Sequence, residues 1–196
     1  MRSKQFDKQA KGLFGEVISE FGFSPEGSKR ATFWRKIPDD IYHIIMPSLN
    51  KGGIDFSVFV FPTSPIVQPR FEDKFPDDLG VVTHSFLNEK TGIGPNATNF
   101  WCKYPDILDR QFEKRVRRLL IDKAIPYLDR FFSLASMVSD IRNPFALALA
   151  LDHLGNRTGA RKALEPELKR LALMDKSNPD LAAIIDLAEK LIPGRL

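Results

Sequence analysis

Cysteine occurs once in this chain of 196 residues, as Cys102. A single thiol excludes an intramolecular disulfide and any cysteine-based metal cluster. Histidine is nearly as scarce, with His43, His84 and His153 only. No long apolar run exists. The longest, FALALALDHL, is too short and too interrupted to span a bilayer, so no membrane association is expected. The start, MRSKQFDKQAKG, lacks the apolar stretch of a secretory signal, and a cytoplasmic protein is the expectation. In that setting the match of Asn96-Ala97-Thr98 to a glycosylation acceptor is idle.

What is present is ordinary globular material, 43% hydrophobic and 28% charged, enough for one domain with a full core. Sixteen phenylalanines point to a core rich in large rings, because most of them fall on periodic apolar faces. The formal charge of +4 is mildly basic and identifies no partner alone. Its distribution says more. Residues 37–107 carry five basic and nine acidic groups, whereas 1–36 carry eight and four, and 108–139 seven and four.

Phe6, Ala10, Leu13, Phe14, Val17, Ile18 and Phe21 recur at helical spacing, predicting an amphipathic helix over residues 3–21 capped by Gly22. Three runs rich in β-branched and aromatic residues follow: ATFWRKI, IYHIIMP and IDFSVFVF. PDD and NKGG separate them at hairpin length, which predicts an antiparallel meander. GVVTHSFL adds a fourth strand after a long proline- and aspartate-rich loop. In the third run neither face is fully polar. Both faces of the sheet should therefore be covered, one by the first helix and the other by something from the C-terminal half.

From Asp106 onward only helices are expected. Leu108, Phe112, Val116, Leu119 and Leu120 form one stripe, and Arg110, Lys114, Arg117 and Arg118 lie on the opposite side. Asn143-Pro144 and Asn178-Pro179 each read as a helix start, and Gly155 as a helix end before a helix over Arg157–Leu173. The helices between residues 143 and 173 read as an antiparallel hairpin with Ala146, Ala148, Ala150, Ala160 and Ala163 at its contact. Pro126 should kink or stop the preceding helix near Ile125, and Ser133 should cap a short helix reaching Ile141. The stretch AIPYLDRFFSLASMV is thus expected to be a structural corner, with Pro126, Phe131 and Phe132 buried, rather than the lip of a site. The fold class is α+β: an N-terminal helix and an antiparallel sheet of four or five strands in residues 1–105, then an all-helical portion in 106–196, in one structural unit.

The order of these pieces resembles a known pattern. A helix, then GF, a strand bearing FWRK and two further strands are followed by NFWCKY, a charged helix, AIPYLDRFFSLASMV, and a small-residue hairpin with LG between its helices. Over most of the chain this is similar to an uncharacterised, mostly bacterial family, domain of unknown function 4304. The resemblance implies a soluble intracellular α+β domain. It implies no reaction and lends no catalytic residue.

Chemistry is thinly signalled. His43 and His84 on strands, joined by Asp55, could bind a metal, but no local spacing supports this, and two half-buried, hydrogen-bonded histidines are preferred. Lys103 beside Cys102 could lower its pKa, yet no base is positioned for it, so it reads as a small buried hydrophobe. TGIGPN lacks the phosphate-loop pattern, and Asp39-Asp40 and Asp77-Asp78 read as turn residues. No catalytic residue, metal or cofactor is assigned. The basic face of Arg110, Lys114, Arg117 and Arg118 is the most specific surface feature, either as a solvated face or as a docking surface. A non-enzymatic interaction protein with an acidic protein partner ranks first, for instance one neutralising a bacterial toxin as an immunity protein. Nucleic-acid binding through the same face ranks second, because no aromatic residue alternates with the arginines. A metal-dependent or hydrolytic enzyme ranks last.

Overall fold

The computed structural model describes residues 3–25, 27, 30–67, 85–103, 107–108, 110–171 and 189. Helix α1 spans Ser3–Ile18. Phe6, Ala10, Phe14, Val17 and Ile18 are buried on its inner stripe, as the spacing predicts. A 3₁₀ turn, Ser19–Phe21, closes on Gly22, whose φ of 78° is the left-handed conformation that glycine adopts without penalty. Phe23 is buried just behind it, with its N–H on the Ile18 carbonyl at 3.4 Å.

The sheet contains β1 (Ser24–Pro25), β2 (Phe33–Ile37), β3 (Ile41–Leu49), β4 (Asp55–Thr63), β5 (Phe86–Asn88), β6 (Gly92–Gly94), β7 (Phe100–Lys103) and β8 (Ile107–Leu108), every pairing antiparallel. The long meander β2–β3–β4 is the one read from the sequence. Its first turn holds Asp39 and Asp40 at φ 61° and 52°, so this carboxylate pair is turn chemistry. The second turn uses Gly52 and Gly53, also at positive φ. The eight strands among the described residues correct the expected four or five. The additional strands run two to four residues, too short to display an alternation. One of them, β6, lies within TGIGPN. Another, β8, pairs Leu108 with Cys102 and corrects the expectation that only helix follows residue 105. Leu108 is a strand residue, because two apolar residues fit a strand end as well as a helical stripe. The helical portion begins at Arg110. The expected strand GVVTHSFL is described only at its end, in β5.

One face of the sheet carries the main core. Phe33, Ile45, Phe56, Val58 and Val60 meet the inner stripe of α1 there. Val116, Leu120, Ala124, Ile125 and Leu128 join the same cluster. The long C-terminal helix therefore packs beside α1, not on the opposite face as anticipated. That opposite face holds a separate cluster of Ile44, Met46 and Phe61 with Trp34, Tyr42 and Phe59 around it. Ile54 lies just before β4 and is exposed, so the inward row of that strand starts at Phe56.

Pro126 does not end its helix. Helix α2 (Arg110–Leu119) runs through a π turn, Leu120–Ala124, into α3 (Ile125–Asp129). The Ile125 N–H reaches back to the Leu120 carbonyl, five residues away. This wider turn makes room for the proline ring, which in a regular α-helix would strike the carbonyl four residues back. The corner comes after Asp129. Ser133 and Ser136 form a reciprocal cap on α4 (Leu134–Met137), which stops short of Ile141. Helix α5 (Pro144–His153) is capped by Asn143, which accepts from the N–H groups of Phe145 and Ala146, and Gly155 ends it at φ 78°. Helix α6 (Arg157–Leu171) packs on it as the expected hairpin. Only part of the alanine set lies at that contact. Ala148, Ala160 and Ala163 face between the helices, whereas Ala146 and Ala150 turn to a second core cluster with Ile41, Val67, Phe131, Leu134, Met137 and Ile141. Asn178-Pro179 and Asp77-Asp78 lie outside the described residues. Among the described residues no helix is long and apolar enough to cross a membrane.

The corner divides its two phenylalanines and leaves Pro126 exposed, which corrects the expectation that all three are buried. Phe131 is 1% exposed and Phe132 is 68% exposed, since adjacent residues leaving a helix point in different directions. Phe131→Ala should therefore lower stability by about 3–5 kcal/mol and Phe132→Ala by less than about 0.5 kcal/mol. Chemical denaturation of the two variants checks this.

Candidate interaction groove

Of the candidate metal residues, His43 and Asp55 are not brought together. His84 lies outside the described residues. His43 pairs with Pro62, which shares the face of Val58 and Val60, whereas Asp55 pairs with Trp101 on the other face and further along β4. Among the described residues no three histidine, cysteine or carboxylate side chains gather.

His43 is instead fully engaged. It is 1% exposed, and its ring nitrogens have partners that dictate its tautomer. Nδ1 accepts from Nε and Nη2 of Arg35, its cross-strand neighbour, at 3.1 and 3.0 Å. Arginine only donates, so this nitrogen carries no proton. Nε2 lies 2.8 Å from the Phe131 carbonyl, which only accepts, so this nitrogen carries it. Arg35 also donates to the Phe21 carbonyl at 3.1 Å, pairs with Asp129, and stacks its guanidinium 4.8 Å from the Phe23 ring centre. Burial pushes the His43 imidazole down to about 4, with the Arg35 charge adding to the effect.

Cys102 is half-buried against the main core. Burial pushes its thiol up to about 11, against the direction a nucleophile needs.

The basic face of α2 is partly assembled into a groove. Its volume is ≈ 610 Å³, and Glu89, Lys114, Arg115, Arg118, Leu119, Asp122 and Lys123 line it. Glu89 comes from the β5–β6 turn, so the groove runs between that hairpin and the helix. Of the four residues anticipated, Lys114 and Arg118 line it. Arg117 is exposed but absent from the lining, because it sits about 200° around the helix from Arg115. Arg110 opens α2, and its side chain lies outside the described residues.

Arg115, Lys123, Glu89 and Asp122 were missed. Arg115 borders the apolar stripe and lays its guanidinium 5.4 Å from the Phe100 ring centre, a use of the arginine side chain that a charge projection does not show. The π turn rotates Asp122 and Lys123 relative to a regular helix, so 100° per residue misplaces them. Within the groove, Arg115 Nε meets Glu89 Oε1 at 2.6 Å and Arg118 Nε meets Asp122 Oδ2 at 3.3 Å. Exposed pairs of this kind contribute at most about 1 kcal/mol. Their consequence is orientation, since each holds a guanidinium by Nε and leaves the terminal Nη donors for a partner.

No family model, no curated protein and no solved structure matches this chain.

The His43 environment predicts a pH effect on folding. The unfolded chain takes up a proton on this residue near pH 6.5, the folded chain only near 4. Stability is thus fully present above pH 6.5 and falls by about 1.4 kcal/mol per pH unit through the window below it. In His43→Gln that component should vanish. Urea unfolding of both proteins from pH 7 to pH 4 checks it, and parallel pH dependences would contradict it.

Proposed function

We propose that this chain is a non-enzymatic intracellular interaction protein that docks an acidic protein segment in the groove beside α2. Immunity proteins that neutralise bacterial toxins offer the analogy. The observation that carries the reading is the composition of the groove: four cations, Lys114, Arg115, Arg118 and Lys123, two of them held in place by ion pairs. Such a surface suits carboxylates presented at discrete positions. A nucleic-acid backbone fits it less well. Glu89 and Asp122 would lie against a continuous row of phosphates, and among the described residues no aromatic side chain lines the groove for a base to stack on. Phe100, beneath Arg115, is fully buried. The enzymatic alternative is disfavoured by the two likeliest reactive groups, a neutral His43 with both nitrogens occupied and a Cys102 thiol raised by burial. Membership of domain of unknown function 4304 is a further proposal, consistent with this reading and supplying no reaction.

The test is a titration at near-physiological salt with a poly-glutamate peptide and with mixed-sequence single- and double-stranded DNA and RNA. The peptide should bind, and Lys114→Glu with Arg118→Glu should weaken it by about tenfold or more. Tighter binding of nucleic acid, lost in that variant and falling steeply with salt, would replace this reading with the nucleic-acid one.

A further inference from the structure

A second recess, of ≈ 340 Å³, shares no lining residue with the groove and lies between the end of β6 and the corner that follows α3. Ile93, Gly94 and Pro95 form one wall. The polar groups facing it are Ser85, Tyr127, Arg130, Asp140 and Arg142. We propose that this recess is a binding site for a small ligand bearing an oxyanion, a carboxylate or a phosphate, independent of the groove beside α2.

The polar groups are arranged before any ligand arrives. Val60 N–H donates to the Ser85 carbonyl at 2.9 Å, which fixes that residue to the sheet. The Ser85 and Tyr127 hydroxyls are hydrogen-bonded at 3.0 Å. One of the two supplies that proton, and the other keeps its own O–H free to donate to a ligand oxygen. The Tyr127 ring is held edge-on to Phe131 with 5.1 Å between centres. The Arg130 guanidinium lies over both rings, 5.7 Å from Tyr127 and 5.6 Å from Phe131. Stacking of this kind limits the motion of a long side chain and leaves its N–H edge available.

Charge selects the ligand. Two guanidiniums and one carboxylate leave the recess net positive. The Asp140 carboxylate already accepts from the Ser139 hydroxyl at 3.0 Å. Among the described residues neither Arg130 nor Arg142 belongs to an ion pair, whereas Arg35, Arg115, Arg118 and Arg157 all do. Two unpaired guanidiniums next to a hydroxyl pair provide planar donor edges and a directional O–H, the donor set that an oxyanion requires. The volume is at the small end for ligand sites, which restricts the occupant to a few heavy atoms beyond the anionic group. The Tyr127 hydroxyl also feels Asp140, Arg130 and Arg142 electrostatically, which agrees with their convergence on one point.

Isothermal titration with inorganic phosphate and with succinate tests the proposal and separates the two oxyanion sources. At least one should bind saturably at one per chain. Arg130→Gln combined with Arg142→Gln should weaken it by about tenfold or more. Arg142→Gln alone, which disturbs no ring stack, should weaken it measurably, as should Tyr127→Phe. The groove variant carrying Lys114→Glu and Arg118→Glu should bind the same probe unchanged, so the two sites stand or fall separately. Absence of saturable binding for both probes would overturn the proposal. So would unchanged affinity in the arginine variants, or loss of affinity in the groove variant.

Discussion

A half-buried arginine beside a buried neutral histidine is the constraint on which this fold turns. Arg35 and His43 face each other across β2 and β3, between the main core around Phe33 and Ile45 and the second core around Ile41 and Phe131. Through them five pieces of chain meet: the 3₁₀ turn after α1 at Phe21, the two strands β2 and β3, the end of α3 at Asp129, and the corner at Phe131. Hydrophobic contacts are tolerant of small slips, whereas this network requires each donor to find its acceptor. A buried polar network is stabilising only when fully satisfied. The seam therefore fixes how the helical portion sits on the sheet.

That position matters for both proposed sites. The helix that presents Lys114, Arg115 and Arg118 continues through the π turn to Asp129, where Arg35 holds it. The groove wall is thus one end of an element whose other end is tied to the seam. The recess behind Tyr127 and Arg130 adjoins the same tie, because both side chains pack on the Phe131 ring, and the Phe131 carbonyl accepts a hydrogen bond from His43. Disturbing the seam should loosen both surfaces together, while changes in either surface leave the seam intact.

The parts of this structure visible in the sequence were those with strong local periodicity or unambiguous end signals. The inner stripe of α1, the β2–β3–β4 meander, the Asn143 cap and the Gly155 stop are all of this kind. Features set by tertiary pairing were not visible. The strands β6, β7 and β8 are too short to carry a pattern, and the pairing of β7 with β4 joins residues some 45 apart in sequence, Asp55 with Trp101 and Phe56 with Phe100. Pro126 predicts a kink or a stop near Ile125; the helix does not stop there, and its departure from regular geometry is the π turn just before the proline. The groove was half legible. Lys114 and Arg118 follow from helical projection, but Arg115 snorkels beside the core and Lys123 lies past the change in pitch. The apolar strand predicts a half-buried, hydrogen-bonded His43; the residue is in fact fully buried, and its partners, 8 and 88 residues away, are not legible from local sequence.

Nitrogen-15 NMR of the His43 ring across a pH titration tests the central claim most directly. The account predicts a neutral imidazole with its proton on Nε2, unchanged from pH 7 to about pH 5 and titrating near 4. A His43 ring that titrates near 6.5, or one protonated on Nδ1, would contradict the seam, because neither form can accept from Arg35 while donating to Phe131.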